Sequence, residues 1–189
     1  IMVAAGRRHS DQIIKSIGVQ QGDHVLDVGC GFGDTTIDLA NLAAPSGNAL
    51  GVDCCQAFLN RAWERAELGW IPNARFKCCD IETDRPEGQF DVVFARFGTQ
   101  FFANPVAGLR SMRQCLRPGG RMAHMVWRSR ADNPWLTKSR EVVETILPKP
   151  GEDARTCGPG PFSMADEATT KAQMEAAGYI DVRFQRVDA

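Results

Sequence analysis

Alternate glycines behind a short apolar stretch are the residues of this chain best suited to chemistry. Val25–Val28 carries one acid, Asp27, and is followed by Gly29, Gly31 and Gly33 before a helical pattern begins. Glycine lets the backbone turn sharply and approach a ligand closely, and the start of a helix offers unpaired N–H groups. A strand, a glycine turn and a helix in this order predict a nucleotide-type cofactor site at the carboxyl end of a sheet.

The glycine spacing favours one type of ligand. A dinucleotide fingerprint reads G-x-G-x-x-G, but this chain has G-x-G-x-G from Gly29 and places Asp34 where the last fingerprint glycine belongs. An acid at that position would repel a pyrophosphate. Asp27 could instead hold an ammonium group, which favours a ligand with an amino-acid moiety such as S-adenosylmethionine (SAM). An NAD-binding site and a purely structural glycine turn are the alternatives.

Further acids follow the next two predicted strands. Asp53 ends the second strand, 20 residues beyond Gly33, where a carboxylate can accept both hydroxyls of a ribose. Asp80 ends the third strand, where it can accept from an adenine amino group, and Ile81 can add apolar contact and a backbone N–H. Each acid alone could be a helix cap or a turn residue. Three acids at successive strand ends beside a glycine loop indicate a cofactor site.

Strands and helices alternate along the chain, which predicts an α/β fold with a doubly wound, mostly parallel, Rossmann-like sheet. The predicted strands are Val25–Val28, Asn48–Asp53, Arg75–Asp80, Phe90–Ala95, Met122–Trp127 and Tyr179–Val187. The predicted helices are His9–Gly18, Thr35–Ala43, Cys55–Leu68, Val106–Leu116 and Asp166–Ala177. Arg117-Pro118-Gly119-Gly120 is a stop signal before the fifth strand.

Length and charge restrict the function classes. The 189 residues fit a single domain, and 22 basic against 23 acidic residues give no excess of positive charge for nucleic acid. No apolar run is long enough for a membrane span, and no signal-like segment opens the chain, so a cytoplasmic protein is expected. A sixth strand at the very end would leave a sheet edge open, so we expect a fragment that lacks residues at both ends.

The cysteines are numerous for this length, but they do not follow a metal-site spacing. We expect most of them to be small apolar packing residues and no metal to be bound, with a redox or soft-metal role as the alternative. They are Cys30, Cys54, Cys55, Cys78, Cys79, Cys115 and Cys157.

From about residue 11 to residue 187 the chain resembles the class I SAM-dependent methyltransferases, of the branch that includes ubiquinone/menaquinone-biosynthesis methyltransferases. The matching segments are Val25–Gly33, Gly51–Asp53, Cys79–Ile81, Phe90–Ala95 and Leu116–Arg121. The resemblance implies a sheet of seven strands with a reversed final hairpin, of which this chain would lack the last strand. It also implies an enzyme with SAM as cofactor. The cofactor-binding residues are then expected to be Asp27, Gly29, Cys30, Gly31, Gly33, Asp53, Cys54, Asp80, Ile81, Ala95 and Arg96.

Residues just past the fourth and fifth strands should face the acceptor of the methyl group. The candidates are Phe97, Gln100, Trp127 and Trp135, with Arg96 able to orient an anionic or carbonyl acceptor. No general base can be assigned, since His9 and His24 are expected at the surface and His124 in the core.

We therefore expect methyl transfer to a small molecule by in-line displacement, in a protein that is either a monomer or a homodimer. An NAD-dependent oxidoreductase and a non-catalytic SAM-binding module are the alternative functions.

Overall fold

The computed structural model describes residues 11–147 and 160–188. Its strands are β1 (His24–Val28), β2 (Asn48–Asp53), β3 (Ala74–Cys78), β4 (Phe90–Arg96) and β5 (Leu116–Met125). Its helices are α1 (residues 11–17), α2 (Asp34–Ala43), α3 (Gln56–Leu68), α4 (Pro105–Gln114), α5 (Pro134–Ile146) and α6 (Glu167–Ala176). Short 3-10 turns lie at Thr99–Phe101 and Arg130–Asp132.

The strands form one sheet in the order β3-β2-β1-β4-β5, and every neighbouring pair is parallel. The chain moves outward from β1 to β3, then returns to the other side of β1 with β4. The order therefore reverses between β1 and β4, and ligands of such sheets bind at the carboxyl ends of the strands at that point. The predicted doubly wound α/β class is confirmed.

Alternate residues of the buried strands supply two core layers, one on each face of the sheet. Val25 packs with Leu39 and Phe76 on the side of α2 and α3. Leu26, the next residue of β1, packs with Leu109 on the side of α4 and α6. Both faces of the sheet are covered, so β1 and β4 bury all of their residues except His24 at the start of β1 and Arg96 at the end of β4.

The predicted stop before the fifth strand lies inside β5 as an irregularity. Phe90 pairs with Leu116, but the next paired residue of β4, Val92, is opposite Arg121. The proline and glycines are therefore extra residues that bulge out of the ladder between these two pairs.

The predicted sixth strand is wrong. Residues 179–188 are described, and they form no strand. Tyr179 is tied to α4 by a hydrogen bond from its hydroxyl to the Leu109 carbonyl (3.1 Å). The segment then runs along one side of a cleft of 2420 Å³ whose opposite side is β5. A strand needs a hydrogen-bonded neighbour, and the alternation of apolar residues that suggested this one does not provide it.

No helix in the described ranges is both long and apolar enough to cross a membrane.

Candidate functional site

The glycines of the loop after β1 have different surroundings, although they share a left-handed backbone. A Cβ on Gly29 would lie 3.0 Å from the backbone of Gly98, where the loops after β1 and β4 touch. A Cβ on Gly33 would lie 2.9 Å from the ring of Phe76. A Cβ on Gly31 would meet nothing within 4 Å, so this glycine faces open space. Gly29 and Gly33 therefore serve packing, and Gly31 lines the crevice.

Asp53 fixes the glycine loop from the end of β2. Its Oδ2 accepts from the Gly31 N–H at 2.9 Å. Its Oδ1 accepts from the Cys55 N–H, also at 2.9 Å. A carboxylate offers about four lone-pair directions, so both oxygens can accept further hydrogen bonds from a ligand.

Asp27 is a fully buried acid with an unused oxygen. The Thr36 hydroxyl donates to its Oδ2 at 2.7 Å, whereas Oδ1 has no hydrogen-bond partner among the described residues. Burial raises the pKa of Asp27 to about 6, against the lowering effects of Thr36 and of the nearby Arg96 charge. A buried orphan oxygen is costly unless a donor reaches it, so this atom marks a place for a cationic or N–H group of a ligand.

Asp80 and Ile81 lie in the turn after β3, two and three residues past the end of the strand at Cys78. Asp80 is exposed, and its Oδ1 accepts from the Glu82 N–H at 3.0 Å. Ile81 is buried in the core layer of α4 and α6. The side chain of Ile81 therefore packs inside the protein, and its backbone is what remains for a ligand.

The cysteines of the described chain have no disulfide partners. Cys30 is buried in the core layer of α2 and α3, and burial raises the pKa of its thiol. Cys54 and Cys78 are exposed at neighbouring strand ends, and the Cys78 thiol lies 3.7 Å from the Cys54 carbonyl. No group of three or more His, Cys, Asp or Glu within residues 11–147 and 160–188 is arranged to hold a metal ion. Cys157 lies outside the described residues.

The acceptor-side candidates meet at the ends of β4 and β5. The rings of Phe97 and Trp127 stack with centroids 4.4 Å apart and planes 8° apart. Buried Gln100 binds both backbones, because its Nε2 donates to the Phe97 carbonyl (3.2 Å) and its Oε1 accepts from the Trp127 N–H (2.6 Å). Phe97 has a φ of 61°, which is rare for a residue with a side chain and is often found at functional sites. Trp135 lies in α5, and its side chain is outside the described ones.

Neither of the two described histidines is placed to act as a general base. His24 is exposed at the start of β1, at the opposite end of the strand from the glycine loop. His124 lies within β5 with its Nδ1 3.1 Å from the Thr99 hydroxyl oxygen, and burial lowers its pKa to about 4. His124 is half-buried and borders the cleft beside β5, whereas the sequence suggested a core position. His9 lies outside the described residues.

With this geometry in place, comparison with known proteins decides the family. A sequence profile described as "Methyltransferase domain" matches residues 25–120, the stretch from β1 into β5 that contains the glycine loop and the strand-end acids. The chain belongs to the SAM-dependent methyltransferases.

One relative by sequence and two solved structures of similar fold illustrate the likeness of this methyltransferase to known proteins. The ubiquinone/menaquinone biosynthesis C-methyltransferase UbiE of Ectopseudomonas mendocina is 30% identical over 184 residues, which cover 92% of this chain and 72% of that protein. A SAM-dependent methyltransferase from Aquifex aeolicus has a similar fold, with a TM-score of 0.66, 20% identity and coverage of 89% of this chain and 78% of that one. Phosphoethanolamine N-methyltransferase 2 of Haemonchus contortus, solved with SAM, also has a TM-score of 0.66, at 18% identity, covering 92% of this chain and 37% of that one.

The family decides between the alternatives that the glycine spacing left open. SAM is the cofactor of this methyltransferase, which is an enzyme of the UbiE-like branch acting on a small molecule. Asp34 is not the lone carboxylate expected from the sequence, because it forms an ion pair with Arg65 of α3. An acid neutralised in this way would repel a pyrophosphate much less than a lone carboxylate.

The sequence did not indicate two residues that contact the site residues and hold them in place. Thr36 was unremarkable in the sequence, yet it is the donor to Asp27. Thr36 lies in α2, nine residues after Asp27, and its contact with Asp27 depends on how α2 packs against β1. Gly98 was also missed, although a second glycine opposite Gly29 is what two touching backbones require.

Proposed function

We propose that SAM lies across the carboxyl ends of β1, β2 and β4, with its methionine ammonium at Asp27. The observation that carries this placement is the buried Asp27 Oδ1, which lacks a donor. Gly31 leaves open space for the close approach of the ligand, and Asp53 has acceptor capacity for the ribose hydroxyls.

The remaining cofactor contacts follow from the strand ends. The adenine lies against Asp80, Cys54 and the backbone of Ile81. Asp80 and Cys54 are exposed, so a ligand can reach their side chains. The backbones of Gly29, Cys30, Gly33, Ala95 and Arg96 complete the lining. The proposed contacts include every cofactor-binding residue expected from the sequence. Cys30 and Ile81 contribute only their backbones, because their side chains are buried in the core layers.

We further propose that the acceptor is a quinone precursor that is methylated on carbon. The support is the likeness to UbiE, which is a C-methyltransferase of ubiquinone and menaquinone biosynthesis. The stacked rings of Phe97 and Trp127 at the ends of β4 and β5 would form a flat apolar wall for a planar acceptor. Gln100 would fix that wall by its hydrogen bonds to both backbones.

Bound SAM would supply an electrophilic methyl group on a sulfonium. The acceptor carbon forms the new C–C bond as the methyl–sulfur bond breaks, and the sulfur keeps that electron pair and leaves in neutral S-adenosylhomocysteine (SAH). The acceptor carbon then loses its proton to solvent. The chain itself aligns the acceptor and excludes water, because a good leaving group makes positioning the main requirement.

Labelled SAM tests the reaction with a panel of demethylated quinols, catechols and primary amines. Label in a C-methylated quinol, located by mass spectrometry, is the expected product. Label only on oxygen or nitrogen would contradict carbon methylation while leaving the methyltransferase assignment intact.

Replacing Asp53 with alanine should raise the Kd for SAH by about tenfold to a hundredfold, the range for losing hydrogen bonds to a charged group. Titration calorimetry measures the Kd, and circular dichroism checks that the fold persists. Glu64→Ala is the control, since Glu64 forms only an exposed ion pair on α3. Equal affinity for SAH in the Asp53 variant and the control would contradict the ribose assignment.

Replacing Gln100 with leucine should raise the KM for the acceptor by about tenfold and leave the Kd for SAH within about twofold, because the wall loses its anchor but the cofactor loop does not. Loss of the Gln100 hydrogen bond to the Trp127 N–H should lower the free energy of unfolding by about 2 kcal/mol. The control is Gln114→Leu, which removes only an exposed contact with Arg85. An unchanged acceptor KM in the Gln100 variant would separate Gln100 from acceptor binding.

We also propose a cytoplasmic protein of one domain whose partner is a small molecule rather than nucleic acid. The net charge of −1 supports the second point. Light scattering of the purified protein distinguishes a monomer from a homodimer.

A further inference from the structure

We propose that α3 holds the outer side of the glycine loop through Arg65 and Phe58, and that these two positioning residues set the affinity for SAM. This inference rests on the proposed placement of SAM at the loop. It adds residues of α3, which lie outside the matched glycine motif, to those that determine cofactor binding.

Arg65 binds the loop at two points, on either side of Gly33. Its Nη1 donates to the Phe32 carbonyl at 3.3 Å, and its Nη2 pairs with the carboxylate of Asp34. Asp34 is the first residue of α2, and its side chain is only 19% exposed. One guanidinium therefore joins the loop and the start of the next helix to α3.

Phe58 contacts the same stretch through its ring. The centroids of Phe32 and Phe58 lie 4.7 Å apart, with the planes tilted by 52°. Both rings remain about two-fifths exposed, at 42% and 41%. An aromatic pair at the surface, rather than in the core, joins the loop to α3 directly.

The loop needs such contacts because its own sequence gives it little rigidity. Phe32 lies between Gly31 and Gly33, and glycine has the largest conformational freedom of any residue. Gly33 is the N-cap of α2 and provides no side-chain cap. Asp53 holds the inner side at the Gly31 N–H. Arg65 and Phe58 hold the outer side, so the loop is already ordered before the ligand binds, which lowers the entropic cost of binding.

This role can be separated from a purely structural one. Exposed ion pairs contribute little to stability, and the Arg65 side chain is 46% exposed. Replacing Arg65 with methionine keeps its apolar stem and should barely change the thermal midpoint. The same variant should raise the Kd for SAH about tenfold, because the loop must then be ordered on binding.

The matched control is Arg61→Met, one turn earlier on α3, because the exposed ion pair of Arg61 is with Glu64 of the same helix rather than with the loop. Calorimetry measures the SAH Kd. Hydrogen exchange without ligand measures the protection of the amides of residues 31–34. In Arg65→Met, but not in Arg61→Met, we expect weaker SAH binding and faster exchange of the loop amides. We also expect a raised KM for SAM with kcat unchanged. Phe58→Ala should weaken SAH binding similarly, whereas Phe58→Tyr keeps the ring and should bind SAH as the native protein does.

Equal SAH affinity and equal loop exchange in Arg65→Met and Arg61→Met would overturn the role of Arg65. Should Arg65→Met fail to fold, Asp34→Ala removes the acceptor of the ion pair without altering α3, and unchanged SAH binding in that variant would overturn the role of the ion pair. If the placement of SAM were wrong, the result would differ, because the Gly31→Val protein would bind SAH as tightly as the native protein.

Discussion

Replacing Asp27 with asparagine should raise the Kd for SAH by about a hundredfold at pH 7.5, because Asp27 is the one buried carboxylate beside the glycine loop within residues 11–147 and 160–188. The neutral amide keeps the size of the side chain and can still accept from Thr36, but it offers no charge to the ammonium of the ligand. Calorimetric titration with SAH measures this change.

The pH dependence of binding is a second result expected from Asp27. Its pKa is raised to about 6 in the absence of ligand, so the carboxylate that receives the ammonium is lost below that pH. The Kd for SAH should then rise by nearly tenfold per pH unit below about pH 6 in the native chain. The asparagine variant should lack this dependence.

Stability should respond to pH in the opposite direction. The folded state binds the Asp27 proton more tightly than the unfolded state, whose pKa is near the ordinary 3.8. This group therefore adds stability as the pH falls from above 6 towards 4, and its ionised form costs up to about 3 kcal/mol at neutral pH. Urea unfolding at several pH values, compared with Asp27→Asn, isolates this contribution.

A second buried acid provides the control. Asp91 lies near the start of β4, pairs with Arg117 and accepts from the His24 N–H at 2.8 Å. Asp91→Asn should lower the free energy of unfolding and leave SAH affinity unchanged, because it lies at the amino end of the sheet. If both acids affected SAH binding equally, the Asp27 effect would be one of general stability rather than of ligand contact.

Replacing Gly31 with valine should abolish SAH binding in the micromolar range. The new side chain would project into the open space beside the loop, where no protein atom lies within 4 Å. Valine must also adopt the φ of 53° at this position, which costs about 1–2 kcal/mol of stability. Calorimetry and thermal unfolding together measure both effects.

Gly119 allows the backbone strain to be subtracted. It has a φ of 80°, and a Cβ on it would also meet nothing within 4 Å, but it lies in the β5 irregularity. Gly119→Val should lose similar stability and bind SAH normally. Normal binding in the Gly31 variant would mean that the cofactor does not approach this glycine.

Much of the fold could be predicted because its signals are local. The glycine loop, the buried apolar run of β4 and the proline at the start of α4 each determine their own segment. The predicted strand Tyr179–Val187 failed because its side-chain alternation is local, whereas strand pairing depends on a neighbour elsewhere in the chain. The extent of β5 was underestimated for a similar reason, since Leu116 pairs with Phe90 before the proline and glycines bulge out.

For the site, the sequence predicted the residues that line the strand ends but not those that support them. Asp27 and Asp53 could be recognised from their positions after apolar runs. Thr36, Gln100 and Arg65 act through contacts that depend on how α2, the turn after β4 and α3 pack. Of these, only Gln100 was singled out in advance, and for lining the acceptor side rather than for joining two backbones.

The most direct test of the central claim, that SAM binds at the glycine loop beside Asp27, is calorimetric titration of the native chain and of Asp27→Asn with SAH, with NADH as the parallel ligand. We predict micromolar SAH binding to the native chain, binding at least about a hundredfold weaker to the variant, and no NADH binding to either. Equally tight SAH binding to both proteins would contradict the placement of the ammonium at Asp27.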